Sequence, residues 1–503
     1  MSEKTENNNI TDNQDIVLDV DVSENQTDNI NNDTNTTSVD NMPSNNTNNK
    51  NKSKKFWGKV DNFFKISERG STFGRESFGG IINFLVISYI LVVIPGLFNN
   101  VDGGTLWKAL FLATIFTIVI ATLSMAFFVN LPIILAPGIG LCSYVAQLVI
   151  SGQYTFAQGM AISFMAGVAF LIITVTGLRR KMVDAIPNCV KVAMPVGVGL
   201  FILGIGMGNN SGILDLLNGN ATSFAPIVAL VSFFVMVVLY IKNVKGSIFI
   251  GIVSGTVLNI IIELCMGHNP FAVLANNSWL PPFKELADKT LFKFDFAGLF
   301  SGNIVTSILS VLLIVFAVTL IDMFDTVGTL YATAKKGNLF DKNGQVINMN
   351  KAMMVDGCGA IYSACMGIPN ATSYVESSAG IASGARTGFS NIVTSVLFLL
   401  AMFLSPLVML IPTSATAPAL ILVGILMFDS VADFKLKDLT QSIPAVLTII
   451  VMPLTSNITL GIALGIVSYT LINLFTGNYK KINVFTYIVS VLFVLYFVMM
   501  NLM

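Results

Sequence analysis

The sequence predicts an all-α membrane protein whose chain crosses the bilayer fourteen times, as two inverted halves of seven segments each. Three observations support this fold class. Hydrophobic residues make up 54% of the chain and charged residues only 11%, a composition that excludes an ordinary soluble protein. The apolar residues fall into about fourteen blocks that are long enough, or nearly long enough, to span a bilayer. Basic residues recur in alternate loops, as they do on the cytoplasmic side of membrane proteins.

The first 55 residues differ sharply in composition from the apolar blocks. They are rich in Asn, Thr, Asp and Ser and acidic up to Asp40, which predicts a disordered cytoplasmic tail. Residues 56–77 continue a run of lysines that begins at Lys50, and we expect them to form a basic juxtamembrane segment. Such a segment holds the N-terminus in the cytoplasm and contacts anionic membrane lipid.

The predicted membrane domain covers residues 78–502. Its last apolar block, 482–502, either crosses as a fifteenth helix or lies in the membrane interface. The predicted spans are 78–98, 107–129, 131–150, 155–177, 187–207, 224–241, 246–266, 301–331, 352–368, 369–384, 388–410, 416–428, 441–456 and 458–476. The basic residues of the alternate loops are Arg179, Arg180 and Lys181, Lys242 and Lys245, Lys335 and Lys336, Arg386, and Lys480 and Lys481.

Weak internal similarity divides the spans into two repeats. The proline-containing start of span 5, 187–195, resembles that of span 12, 412–418, and the following spans correspond in order. Repeat one would cover about 78–266 and repeat two about 301–476. Because seven is odd, two such repeats have opposite orientations in the membrane, which is a common plan among transporters.

Two acids end the apolar run from Ile304 to Leu320. Asp322 and Asp325 are three residues apart, so they lie on the same side of a helix. A charged group at the bilayer centre costs about 2.5–3.5 kcal/mol on insertion scales, and an acid pair there indicates a functional site. The alternative is a helix that ends near Leu320 and leaves both acids among the headgroups. The uncharged stretch up to Lys335 favours the intramembrane position.

Spans 3 and 10 occupy matching positions in the two repeats, and both are interrupted by Gly and Pro. The interruptions fall within 135–144 and 367–380. Paired broken segments of this kind indicate a binding site near the middle of the membrane. Glu376 in span 10 is a third intramembrane acid, which either accepts hydrogen bonds from a ligand or pairs with Arg386. For Asp356 in span 9, structural pairing and a functional role are both open.

Several motifs together resemble one known family. The chain is similar to the AzgA-like branch of the nucleobase–cation symporter 2 family, which contains adenine, guanine and hypoxanthine permeases and has the xanthine/uracil permease fold. The motifs that carry the resemblance are Glu68-Arg69-Gly70, Ala136-Pro137-Gly138-x-Gly140-Leu141, Asp322-x-x-Asp325-Thr326-x-Gly328-Thr329-Leu330, Thr372-Ser373-Tyr374-x-Glu376-Ser377, Gly384-x-Arg386-Thr387-Gly388 and Ala415-Thr416-Ala417-Pro418.

The resemblance implies a core domain and a gate domain, with short antiparallel strands in the broken spans 3 and 10. In such permeases the acids that match Asp322 and Glu376 are linked to purine binding, and the acid that matches Asp325 to transport. Two positions depart from the family. Cys142 stands where members usually have Asn, and Ile94 replaces an Asn before the span 1 proline.

These features together predict a transporter that imports the purine nucleobases hypoxanthine, guanine and adenine by proton symport, in the plasma membrane. An acid cluster in a low-dielectric site should not be fully ionised, so at least one of its carboxyl groups should carry the coupled proton. A homodimer is left open as the assembly, and no nucleic-acid partner is expected. The expected base contacts are Asp322, Glu376, Cys142, Thr372 and Ser373, with Phe324, Tyr89 or Tyr374 stacking on the ring; the expected proton sites are Asp325, Asp322 and Glu376.

Three other functions remain open from the sequence alone. The same fold could carry another small solute or an anion, although three acids disfavour an anion. An ion channel is less favoured because no filter repeat is present, and a membrane enzyme because no catalytic dyad is visible. No Walker, zinc or nucleophile motif is present, so we expect no catalytic residue, metal or cofactor.

Overall fold

Helices dominate the described part of the chain. The computed structural model describes residues 57–98, 101, 105–177, 186–208, 212–217, 219, 223–301, 304–341, 345–428, 438–478 and 482–502. The predicted tail of residues 1–55 and the basic loop residues 179–181 and 480–481 lie outside these ranges.

Most of the helices correspond to the apolar blocks of the sequence. Eight helical segments in the described ranges are long and apolar enough to cross a membrane, and shorter apolar helices accompany them. In chain order the helices are α1 (Phe73–Ile87), α2 (Ile90–Leu97), α3 (Trp107–Ser124), α4 (Ile139–Ile150), α5 (Phe156–Val175), α6 (Asn188–Met207), α7 (Ala225–Ile241), α8 (Ser247–Cys265), α9 (Ile304–Gly337), α10 (Met349–Met366), α11 (Ser378–Ala382), α12 (Phe389–Ala401), α13 (Thr413–Leu426), α14 (Leu439–Thr455), α15 (Ile458–Phe475) and α16 (Val484–Leu502).

Shorter elements join these helices. A π-helical turn extends α3 and ends at Asn130, whose left-handed backbone (φ 57°) Asn tolerates better than most residues. The other short helices are Ile213–Leu217, Ala272–Asn276, Phe283–Lys289, Gly298–Phe300, Val375–Ser377, Met402–Leu404 and Ser405–Val408.

Two short strands interrupt the helices at the broken segments. Strand β1 (Leu135–Pro137) pairs antiparallel with β2 (Ala371–Ser373), with Ala136 opposite Thr372. A proline disfavours helix at the residue before it, so the chain is extended ahead of Pro137. The hydroxyl of Thr122 accepts the amide hydrogen of Leu135, at 3.2 Å, and so anchors β1 to α3. The strands expected in spans 3 and 10 are therefore confirmed.

The helices pack into two groups around this strand pair. In the first group α10 contacts α3 and α5, and α12 contacts α1 and α3. In the second group α6 contacts α13 and α14, α14 contacts α15, and α7 contacts α8. Helices α6 and α13 approach each other closely, since a Cβ added to Gly424 would lie 2.5 Å from the carbonyl oxygen of Gly199. Two glycines are needed there because no side chain fits between the helices.

The C-terminal helix α16 joins the bundle. It packs against α15 and α9, and the hydroxyls of Thr470 and Ser490 are 2.6 Å apart. The sequence left open whether this block crosses the membrane or lies in its interface. Its packing makes it part of the helical bundle, and its crossing stays a prediction.

Candidate substrate-binding site

A cavity of about 390 Å³ lies between the two helix groups. This volume is within the range of small-molecule sites. One wall is polar and comes from the broken segments and α9, which contribute residues 138–141, 372–376 and part of 321–332. The opposite wall is apolar and comes from α6 and α13, through Met194, Pro195, Val198, Ile202, Val423, Leu426 and Met427.

Helix α9 brings one carboxylate to the polar wall. It runs without interruption from Ile304 to Gly337, so the alternative in which it ends near Leu320 is wrong. Asp325 lines the cavity and is exposed to it, together with Gly328 one turn further on. A carboxylate in this position can accept hydrogen bonds from a ligand that enters the cavity.

Glu376 brings a second carboxylate to the same wall. It lies on the one-turn helix Val375–Ser377, immediately after β2, and the hydroxyl of Tyr89 donates to its Oε1 at 3.3 Å. The guanidinium of Arg386 instead donates to the carbonyls of Ile381 and Ala385. The proposed pairing of Glu376 with Arg386 is therefore wrong, and the carboxylate of Glu376 faces the cavity.

Two further acids lie behind this wall. Asp322 is fully buried, and its Oδ2 accepts a hydrogen bond from Nδ2 of Asn370 at 3.0 Å. Asp356 is also fully buried and accepts from the hydroxyls of Thr326, at 2.6 Å, and Ser373, at 2.9 Å. The described residues that line the cavity do not include Asp322 or Asp356. The structure thus separates the acids into a pair at the cavity and a pair behind it.

The other predicted site residues divide in the same way. Phe324, Thr372, Ser373 and Tyr374 line the cavity, and the hydroxyl of Tyr374 donates to the carbonyl of Pro137. Cys142, Tyr89 and Ile94 are buried, and the described wall of the cavity does not include them. The thiol of Cys142 donates to the carbonyl of Pro369, 3.4 Å away, so it supports the broken segment from behind.

Two groups of residues at this site were not predicted from the sequence. The apolar wall, with Met194 and Met427, was not predicted because apolar residues on a membrane helix give no sign of facing a cavity rather than lipid. Asn370 was also missed. It lies between Pro369 and β2, and its place after an intramembrane proline was the only available signal.

This arrangement suits a flat molecule that carries hydrogen-bond donors. Asp325 and Glu376 can accept hydrogen bonds at one edge, while the apolar wall packs against a ring face. The described residues contain no group of three or more His, Cys, Asp or Glu side chains that could hold a metal ion. The groups that line the cavity and could contact a ligand include carboxylates, backbone groups and apolar side chains.

The comparison with protein families identifies the chain. The model of the permease family Xan_ur_permease matches residues 74–464, most of the sequence. The chain belongs to this permease family. The resemblance to the AzgA-like nucleobase permeases is thus confirmed, and this permease is a multi-pass transporter rather than an enzyme.

Curated relatives of the permease are similar over nearly their whole length. It is 34% identical to the guanine/hypoxanthine permease PbuO of Bacillus subtilis over 450 residues, which cover 86% of this chain and 98% of PbuO. It is 32% identical to the adenine permease AdeQ of Escherichia coli, over 88% of this chain and 97% of AdeQ.

A solved structure shares the fold of the permease. The transmembrane domain of the cyanobacterial bicarbonate transporter BicA matches with a TM-score of 0.55 at 17% identity, over 78% of this chain and 97% of that domain. At this identity the match concerns the fold alone. The permease has the architecture of two inverted seven-segment repeats, as the sequence predicted.

Proposed function

We propose that this permease imports purine nucleobases, namely hypoxanthine, guanine and adenine, by proton symport. The observation that carries the proposal is the cavity in which two carboxylates face an apolar wall. A purine has N–H donors at its edge and flat apolar faces, so it complements both sides. Relatives at 34% and 32% identity bear the names of guanine/hypoxanthine and adenine permeases, which supports this choice of substrate.

In the proposed complex Glu376 and Asp325 accept hydrogen bonds from N–H groups of the base. Backbone groups of β2 reach the ring nitrogens or the carbonyl, and Phe324 and the methionines of the apolar wall contact the ring faces. Tyr89 holds Glu376 from behind rather than stacking on the base. Cys142 acts on the shape of the site through Pro369.

Asp322 has a separate role in this proposal. Its side chain is fully buried, so it influences the base through the wall rather than by contact. A carboxyl group one turn of α9 away from Asp325 is well placed to carry the proton that accompanies the substrate. We assign the coupled proton to Asp322, with Asp325 on its path to the cavity.

The proposed orientation puts the N-terminus and the basic loops in the cytoplasm of a plasma-membrane protein with fourteen spans. Helices α6, α7, α8, α13, α14 and α15 then form the gate domain, and the remaining spans the core. The cavity continues along α9 to Ala332, three residues before Lys335, which supports a path to the cytoplasm. Relative movement of core and gate would give access from the other side.

Uptake of labelled hypoxanthine by a purine-transport-deficient bacterium that expresses the permease tests this function. We expect guanine and adenine to compete, whereas nucleosides, bicarbonate and sulfate do not. Competition by bicarbonate would instead favour anion transport, the activity for which the BicA transporter is named. A protonophore should abolish accumulation, because a single charge at 100 mV supplies about 2.3 kcal/mol, or roughly fifty-fold accumulation. Accumulation that persists with the protonophore would contradict proton symport.

Tyr89→Phe tests whether the hydrogen bond from the Tyr89 hydroxyl orients the carboxylate of Glu376. The variant loses one hydrogen bond, worth about 1 kcal/mol, so the hypoxanthine concentration for half-maximal uptake should rise about fivefold. The maximal rate should change less, because Glu376 itself remains. Tyr240→Phe, at an exposed position, serves as the matched control. Unchanged half-saturation in Tyr89→Phe would show that the bond does not orient Glu376.

A further inference from the structure

We propose that Asn370 holds the coupled proton on Asp322, as an acid–amide pair joined by two hydrogen bonds. The inference rests on the proposed proton symport and deepens it by naming the group that stabilises the protonated state. The amide lies on the chain just before β2, and the acid lies on α9, so the pair links the two elements that build the polar wall.

Within the described part of the chain, Asp322 and Asn370 each have one side-chain oxygen without a hydrogen-bond donor. Nδ2 of Asn370 donates to Oδ2 of Asp322 at 3.0 Å, and both side chains are fully buried. Oδ1 of Asp322 and Oδ1 of Asn370 have no hydrogen-bond donor among the described residues. A buried carboxylate oxygen without a donor is costly, and here an amide oxygen in the adjacent side chain shares the same defect.

The neighbouring hydroxyl groups bond to other acceptors when Asp356 is ionised. Thr326 donates its single hydrogen to Asp356, so the 3.1 Å contact between Thr326 and Thr372 requires Thr372 to be the donor. Thr372 is also close enough to Asp322 to act as a donor, but its single hydrogen cannot serve Asp322 while it serves Thr326. Both Oδ1 atoms of the pair are then acceptors without a donor in the described ranges.

One proton on Oδ1 of Asp322 resolves both defects. The O–H bond that forms neutralises the carboxylate and donates to Oδ1 of Asn370, while the bond from Nδ2 of Asn370 to Oδ2 remains. The proton comes from water in the cavity, and no other bond breaks. The charged groups that act on Asp322 are Asp356 from α10 and Asp325 from α9, with Glu376 acting on Asp325. All three are carboxyl groups, so whichever of them is ionised disfavours a negative charge on Asp322.

Loss of that proton has a consequence for the cavity wall. Two acceptor oxygens then face each other, and the amide of Asn370 must turn or move. The backbone carbonyl of Asn370 accepts the amide hydrogen of Gly138 at 3.0 Å, and Gly138, Thr372 and Ser373 all line the cavity. A shift at Asn370 therefore changes the surface that contacts the base, which couples the proton to the substrate.

Exchanging the two side chains tests the pair. Asp322→Asn creates an amide–amide pair that needs no proton, and Asn370→Asp creates two acids that must share one. The double variant Asp322→Asn, Asn370→Asp restores an acid–amide pair with the acid on the other partner. The readout is equilibrium binding of labelled hypoxanthine to the purified permease as a function of pH, with Asn473→Asp on α15 as a buried amide-to-acid control.

We expect wild-type binding of hypoxanthine to weaken about tenfold or more as the pH rises through the range in which Asp322 loses its proton. Binding by Asp322→Asn should persist with little pH dependence, although proton-driven accumulation is lost. The transition of Asn370→Asp should move to alkaline pH by about one unit or more, and the double variant should return close to wild type. Asn473→Asp should keep the wild-type transition. If the pH dependence of binding in the double variant is no closer to wild type than that of either single variant, the acid–amide pair is contradicted. Wild-type binding that depends on sodium would also contradict it.

A second measurement separates this inference from the proposed function. Infrared spectra of the ligand-free protein should contain the carbonyl band of a protonated carboxyl group that is absent from Asp322→Asn. If the wild type binds no purine, the proposed function fails, yet the band still reports on the pair. A band that is unchanged in Asp322→Asn shows that this acid carries no proton.

Discussion

Glu376→Gln is expected to abolish hypoxanthine uptake while the permease still reaches the membrane. The carboxylate offers only acceptors to the N–H groups of the base, whereas an amide presents a donor as well. A hydrogen bond to a charged group contributes about 1.5–3 kcal/mol, so its loss weakens binding about 10- to 150-fold. The half-exposed position of Glu376 at the cavity means that the change should not disturb the packed interior.

Initial uptake rates, normalised to the amount of protein in the membrane fraction, measure this effect. Glu263→Gln is the matched control, because Glu263 pairs with His268 on the surface at 3.0 Å and lies far along the chain from the cavity. The control should transport at the wild-type rate. Uptake by Glu376→Gln at that same rate would show that Glu376 does not take part in substrate binding.

Much of the fold follows from the cost of placing polar groups in a membrane. An acid pair at mid-span and two segments broken by Pro and Gly are expensive in lipid, so the sequence already indicated that α9, β1 and β2 meet inside the protein. The helices that lack such features were predicted from apolar length alone. Their pairing into two groups, including the close contact of Gly199 and Gly424, depends on side-chain packing that no local pattern shows.

The roles of the two acids on α9 show where prediction from the sequence stops. Asp322 and Asp325 are close on the helix surface, and the sequence assigned the base to Asp322 by resemblance. Which of them faces the cavity depends on the position of β2 and Asn370 against α9, a contact between residues 48 positions apart. Periodicity places both acids on one side of the helix but cannot distinguish the cavity from the wall behind it.

The first helical span also has a role that the sequence did not reveal. It holds the broken span 10 and the loop directly after it at three points along its own length. Glu76 accepts the backbone N–H groups of Arg386 and Thr387, Asn83 accepts that of Gly380, and Tyr89 donates to Glu376. Because α11 is too short to be stable alone, these contacts fix the carboxylate of Glu376 relative to the cavity.

Glu76→Ala is expected to remove most of the folded protein from the membrane. Glu76 is fully buried, and its loss leaves the N–H groups of Arg386 and Thr387 without their acceptor. Each unsatisfied buried donor costs about 1–3 kcal/mol, and the side chain leaves a cavity as well. The two donors alone amount to about 2–6 kcal/mol, which is a large part of the stability of a typical domain.

The yield and melting temperature of detergent-purified protein measure this loss, with Glu68→Ala as the control on the exposed segment before α1. The side chain of Glu68 is 67% exposed and pairs with Lys65 at the surface, so its removal should leave both quantities unchanged. Glu76→Gln keeps one acceptor and should fall between the two. If Glu76 acts by holding span 10, the fraction of Glu76→Gln that folds should also bind hypoxanthine more weakly, because the same helix positions Glu376. Normal yield and binding in Glu76→Ala would mean that span 10 keeps its place without the first span.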